Sequence, residues 1–172
     1  MLEEAVSVAS AAHVDMKTLS RLSTNVAGGI LHTIREYDCG EVLVCLTDRT
    51  TGMPKSSLGP VIDHVIGGTN RQVMAVRLIV PPGTLRRLIV AVPQKAEYEA
   101  GFYKWLEHMC RMGEQFDCLL EFNAHPDTLS HIKSYMWRYH VSLRAEYIEM
   151  TLWTKVLSLS QRAGADDLVV FI

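Results

Sequence analysis

Short apolar runs alternate along this chain with longer stretches whose apolar residues recur every three or four positions. That alternation constrains the fold more than any other feature. Val42–Leu46, Gln72–Leu78, Leu88–Val92 (LIVAV), Cys118–Ala124, Leu143–Ile148 and Leu168–Ile172 read as strands. Between them, helical spacing joins Val26, Ile30, Leu31 and Ile34, then Val61, Val65 and Ile66, then Phe102, Trp105, Leu106, Met109 and Met112. It recurs in Leu129, Ile132, Met136 and Tyr139, and in Leu152, Val156 and Leu159 of a helix over Thr151–Ala163. Strands that alternate with helices form a largely parallel sheet covered on both faces, an α/β fold. At the amino end, Leu2–Ala12 reads as the end of a helix and Val14–Ser20 as a further strand.

The stretch from Glu41 to Val76 organises the first half as strand, loop, helix and strand. Val42–Leu46 is almost uninterruptedly apolar, the pattern of a strand buried on both faces. Asp48–Ser57 is polar, broken by Gly52 and Pro54; Ser56 or Ser57 is placed to cap the helix that Pro60 enters and Gly67 and Gly68 end. A polar loop between a strand's carboxyl end and a helix start is where open α/β sheets hold anions. Pro81, Pro82 and Gly83 then mark a boundary, giving domains over 1–80 and 84–172. NVAGGILHTIREYDCGEVLVCL and TKVLSLSQRAGADDLVVFI each run helix, polar turn, strand. They suggest two partial tandem copies of one module, the first entered late and the second left early, so that Met1 need not be a biological start.

A formal charge of -2, with Arg86 and Arg87 as the nearest thing to a basic cluster, points away from a nucleic-acid partner. No apolar run nears the roughly 18 residues of a membrane helix. Cys39, Cys45, Cys110 and Cys118 have no metal-type spacing and read as buried free thiols.

GGTNRQVMAV closes a segment that resembles the carboxyl-terminal part of a universal stress protein module. With NVAGGILHTIREY, LRRLIVAVPQKAEYEAGFYKWLEHMCRMG and NAHPDT, the wider pattern resembles the tandem stress-protein-like domain at the cytoplasmic end of bacterial cation:proton (Na+/H+) antiporters. The resemblance implies a Rossmann-like sheet, with the second-half strands in the order third, second, first, fourth. It also implies attachment to the membrane transporter domain of the same polypeptide, on the cytoplasmic side of the inner membrane.

Nucleotide-binding members of the stress-protein family carry G-x2-G-x9-G-[ST] in this loop. With the third glycine on Gly59, Leu46 and Arg49 stand where the other two belong and Pro60 where the hydroxyl residue belongs. The family's first strand usually ends in Asp, where Pro93 stands here. A cofactor is therefore not expected. Arg49, Lys55, Ser56, Ser57 and Gly59 remain candidates for holding a phosphate weakly, against the plainer reading of a solvated surface loop.

No metal set and no catalytic grouping emerges from the spacing of the histidines and acids. His125 reads as a helix-entry residue, Asp166 and Asp167 as a polar turn, Glu97 and Glu99 as acids at a helix start, and Trp105, Trp137 and Trp153 as packing residues. The expected function is a regulatory or assembly domain of an antiporter without catalysis of its own. The alternative is a free-standing nucleotide-binding stress-type protein. Gln72–Leu78 is expected to lie at a sheet edge and to pair with a second copy, and Val76→Pro to blunt it.

Overall fold

A computed structural model describes residues 2–46 and 59–172. The chain divides into two compact units, Met1–Val76 and Arg77–Ile172. It is an α/β protein with Rossmann-like parallel sheets flanked by helices.

In the first unit, α1 (Leu2–Ala11) is followed by α2 (Val26–Glu36), β1 (Glu41–Cys45), α3 (Pro60–Gly68) and β2 (Gln72–Val76). Asn25 caps α2, its side-chain oxygen accepting from the Gly28 N–H at 3.3 Å. Ala27, Leu31 and Ile34 of α2 pack with Val65 of α3, over Val42 and Val73. A Cβ on Gly68 would lie 2.5 Å from Leu31 Cδ1, so glycine sets how closely the two helices approach. β1 and β2 pair in parallel, Glu41 opposite Gln72 through Cys45 opposite Val76.

Several expectations need correction here. β1 is not buried on both faces: α2 and α3 cover the Val42 side, while Leu43 on the other keeps 62% exposure and Cys45 is exposed. Val14–Ser20 forms no strand, and no strand among the described residues pairs with it; Met16 and Leu19 stay exposed. Gly59 stands at the N-cap of α3, Ser56 and Ser57 lie outside the described residues, and β2 stops at Val76, two residues short of Leu78.

The second unit contains β3 (Arg87–Ala91), α4 (Phe102–Phe116), β4 (Leu119–Ala124), α5 (Pro126–Arg138), β5 (Ala145–Glu149), α6 (Val156–Arg162) and β6 (Asp167–Phe171). Its sheet is parallel throughout, in the order β5-β4-β3-β6, as the resemblance implied. The main core joins Leu88, Val90, Leu120 and Phe122 to Phe102, Leu106 and Met109 of α4 and to Leu129, Ile132 and Met136 of α5. The opposite face holds Ile89 and Ala91 against Leu159 of α6. The two faces follow from right-handed crossovers, since the chain moves outward from β3 to β5 and then returns to β6. Gly113 lets α4 sit close: a Cβ there would lie 3.1 Å from Leu120 Cγ.

Three local expectations shift. The last helix is shorter than Thr151–Ala163, because Trp153–Lys155 is a 3-10 turn and Leu152 is 58% exposed. Glu97 and Glu99 belong to a 3-10 turn and its end, with α4 starting only after Gly101. Trp105 is buried as expected, but Trp137 is 81% exposed and Trp153 43% exposed, so neither is a core residue.

Candidate functional site

The loop after β1 is the first candidate. Arg49, Lys55, Ser56 and Ser57 lie outside the described residues. Gly59 is described, buried at the start of α3 with φ 109 and ψ 143. Any residue with a Cβ is strained at that φ, so glycine is required there. Its carbonyl accepts from the Asp63 N–H at 3.0 Å, the first bond of the helix. Gly59 itself brings no side chain to cap this helix start. Its opening amides could meet an anion, but Asp63 places a carboxylate in the same first turn, where it already complements the dipole and opposes a phosphate. Leu46 offers nothing to a ligand through its amide, because that N–H donates to the Val76 carbonyl at 2.8 Å.

The second candidate is the carboxyl end of the four-stranded sheet, between β3 and β6, where strand order reverses and such folds bind ligands. Pro93 leaves no carboxylate at the end of β3. Its carbonyl accepts from the Ala96 N–H at 3.3 Å, closing a tight turn through Lys95 at φ 70. Glu97 is engaged, its Oε2 accepting from Thr128 Oγ1 at 2.7 Å. His125 caps α5, its Nδ1 accepting from the Asp127 N–H at 3.4 Å, as its position before Pro126 suggested.

A third group lies near the opposite end of the sheet and was not anticipated from the sequence. Glu121 is 1% exposed on β4; its Oε2 accepts from Arg87 Nη1, and its Oε1 from Arg162 Nη2 and Asn123 Nδ2, all at 2.9 Å. Asp167 accepts from Arg87 Nε at 3.2 Å and Nη2 at 2.6 Å, and from the Gly164 N–H at 2.8 Å. Arg87 also donates to the Arg162 carbonyl at 3.3 Å. The Arg87 hydrogen bond holds the Asp167 carboxyl below its usual range, and Asp167 in turn raises the Arg87 guanidinium. Two guanidiniums therefore face two carboxylates. Both oxygens of each acid are taken, so neither is a general base; the group clamps β3, β4 and β6 to the end of α6. The partners stand 34, 41 and 80 residues apart, and Asp167, expected in a polar turn, is the bidentate partner of a strand arginine. The legible signal was a lone Glu and Asn inside the apolar run of β4.

Of the four thiols expected to be buried, Cys110 and Cys118 are, while Cys39 is half-buried and Cys45 exposed. Cys110 is buried, and burial together with nearby Glu114 and Glu107 pushes it up to about 11, so it is a protonated thiol and not a nucleophile at neutral pH. No cluster able to hold a metal occurs among the described residues.

No protein-family model matches the chain. No solved structure matches it either. The chain is similar to the Na(+)/H(+) antiporter NhaS5 of Synechocystis sp., with 22% identity over 148 residues. The matched region is 84% of this chain and 21% of that antiporter, so the chain spans about a fifth of the relative's length.

Proposed function

We propose that this chain is a regulatory or assembly domain of a membrane cation:proton antiporter, carried on the cytoplasmic side of the inner membrane and without catalysis of its own. The observation that carries the reading is the similarity of most of the chain to a limited stretch of a Na+/H+ antiporter. No helix among the described residues is long and apolar enough to cross a membrane, so ion passage would belong to other segments. The β5-β4-β3-β6 order, and the helix–turn–strand units α2–β1 and α6–β6, are compatible with two partial stress-protein-like modules in tandem. Two experiments test this. DNA upstream of Met1 should continue in frame into membrane helices, and an in-frame stop directly before it would overturn the attachment. In everted vesicles, an antiporter lacking this region should still exchange sodium for protons, with its pH or cation dependence displaced or its assembly altered. Identical exchange and assembly would overturn the regulatory role.

A second reading, a free-standing nucleotide-binding stress-type protein, is favoured by one observation: Gly59 keeps the positive φ that a phosphate loop demands. Against it stand the side chains of Leu46 and Arg49 at the other two glycine positions and the carboxylate of Asp63. ATP is expected to bind no better than in the high micromolar range. A low-micromolar dissociation constant by calorimetry would favour the second reading. If weak binding is seen, Arg49→Ala should lower it.

The chain is further proposed to form a homodimer through β2. Within this unit β2 pairs with β1 along one edge, and no strand of the unit's described residues pairs with the other. Val76 is the wrong residue for the test, because its carbonyl accepts from Leu46 and a residue's N–H and C=O point to the same side of a strand. Val73 and Ala75 present their backbone to the outer edge. Ala75→Pro should shift light-scattering mass from dimer toward monomer, whereas Val76→Pro would damage the internal ladder. A monomeric parent at tens of micromolar, on the order of the concentrations where weak dimers form, would exclude this contact.

A further inference from the structure

The most unusual surface of the second unit is the outer face of α5 and its carboxyl end. From Thr128 to Ala145 the sequence has no Asp or Glu, although the whole chain is net acidic at -2. Asp127 and Glu146 bracket the stretch. At about 100° per residue, Lys133, Trp137, Ser134, Arg138 and His131 share one arc of roughly 160°. All five are exposed, Trp137 at 81%. Beside this arc Tyr139, 62% exposed, packs on Tyr135 with ring centroids 4.6 Å apart, and Tyr135 stacks on Tyr103 of α4 at 5.8 Å. Glu107 of α4, the acid whose field reaches Tyr135, is paired with Arg111 at 2.7 Å. Asp127 falls on the same arc but at the amino end of α5, beside His125 and about 15 Å along the axis from Trp137, and the Lys133 ammonium lies over the Tyr147 ring at 4.8 Å. The face is thus basic and aromatic toward its carboxyl end, with small hydroxyls between.

The geometry points to this face as a contact for an anionic lipid surface. Trp and Tyr favour the headgroup layer, where an apolar ring and a polar edge are both satisfied, and Lys and Arg are drawn to anionic headgroups. Single-stranded nucleic acid fits less well. A stacking platform needs successive open rings, and here the Tyr103–Tyr135–Tyr139 rings cover one another and leave Trp137 as a single open one. Two or three charges make a weak peripheral contact, suited to a domain held near a membrane by other means, and in that respect the inference rests on the antiporter reading.

The test uses the purified chain with phosphatidylcholine vesicles, with and without phosphatidylglycerol, at low and raised salt. Sedimentation with the anionic vesicles alone is expected, weakening with salt, with a blue shift of the Trp137 emission that Trp137→Phe removes. Each basic residue neutralised should lower partitioning about fivefold, so Lys133→Gln with Arg138→Gln lowers it about 25-fold. Both sites are exposed, and circular dichroism checks that the variant folds. Equal binding to neutral vesicles, no binding, or binding indifferent to these substitutions overturns the proposal. So does binding of transfer RNA in preference to anionic vesicles. The result is independent of the gene's organisation: binding by a chain found not to be joined to a transporter would end the antiporter reading alone, and a joined chain that ignores lipid would end this inference alone.

Discussion

Phe122→Ala should destabilise the second unit by about 4 kcal/mol, the cost of emptying a core position that cannot collapse. Phe122 is fully buried on β4, packed within the core shared with α4 and α5 and stacked on Tyr147 at 6.0 Å. Helices on one side and the sheet on the other leave little room for relaxation. All three tryptophans lie in this unit, so tryptophan fluorescence follows its unfolding separately from the first. The urea midpoint should fall sharply with little change in slope. Phe122→Leu should cost far less, because it preserves most of the volume. A Phe122→Ala loss below about 2 kcal/mol would mean that the core is looser than its burial implies.

Glu121→Ala, one residue away and on the opposite face, should cost about 3 kcal/mol by an unrelated mechanism. It leaves the guanidiniums of Arg87 and Arg162 facing a carboxylate that is no longer there. This is the lower end for a broken buried pair because those two side chains are 26% and 41% exposed and water can reach them. A cavity mechanism predicts rescue by an apolar side chain of similar size; an ionic one does not. Glu121→Met should therefore remain nearly as unstable as Glu121→Ala, and recovery with Met would show that the clamp holds by volume alone. The same clamp sets an acid limit. The Asp167 pKa is depressed in the folded state by its Arg87 hydrogen bond, so its contribution is complete above the unfolded value of about 3.9 and is lost as pH falls through the lower folded one. Asp167→Asn should thus lower stability at neutral pH, and its difference from the parent should disappear in strong acid.

Local pattern determined a large part of this protein. The apolar stripe of α4, the LIVAV strand and the His125 helix entry all depend on residues within a few positions of one another, which periodicity and capping chemistry can read. The alternation of strands and helices dictated a parallel sheet, because parallel neighbours need a crossover helix and right-handed crossovers restrict the order. Tertiary structure alone decided what depends on partners far along the chain. Val42–Leu46 reads like a doubly buried strand, yet only one face is covered, since burial depends on how many helices pack there. Val14–Ser20 has strand-like residues but no partner ladder among the described residues. Trp137 sits on a helix that packs through other positions, so its ring faces solvent. Glu121 stands out as a lone acid in the apolar run of β4, but nothing near it in the sequence points to Arg87, Arg162 and Asp167, and the four become one charge-balanced clamp only when β3, β4, β6 and α6 converge. Local spacing reports which face a residue occupies on its own element; which groups meet across elements is set by packing, and no local pattern carries that information.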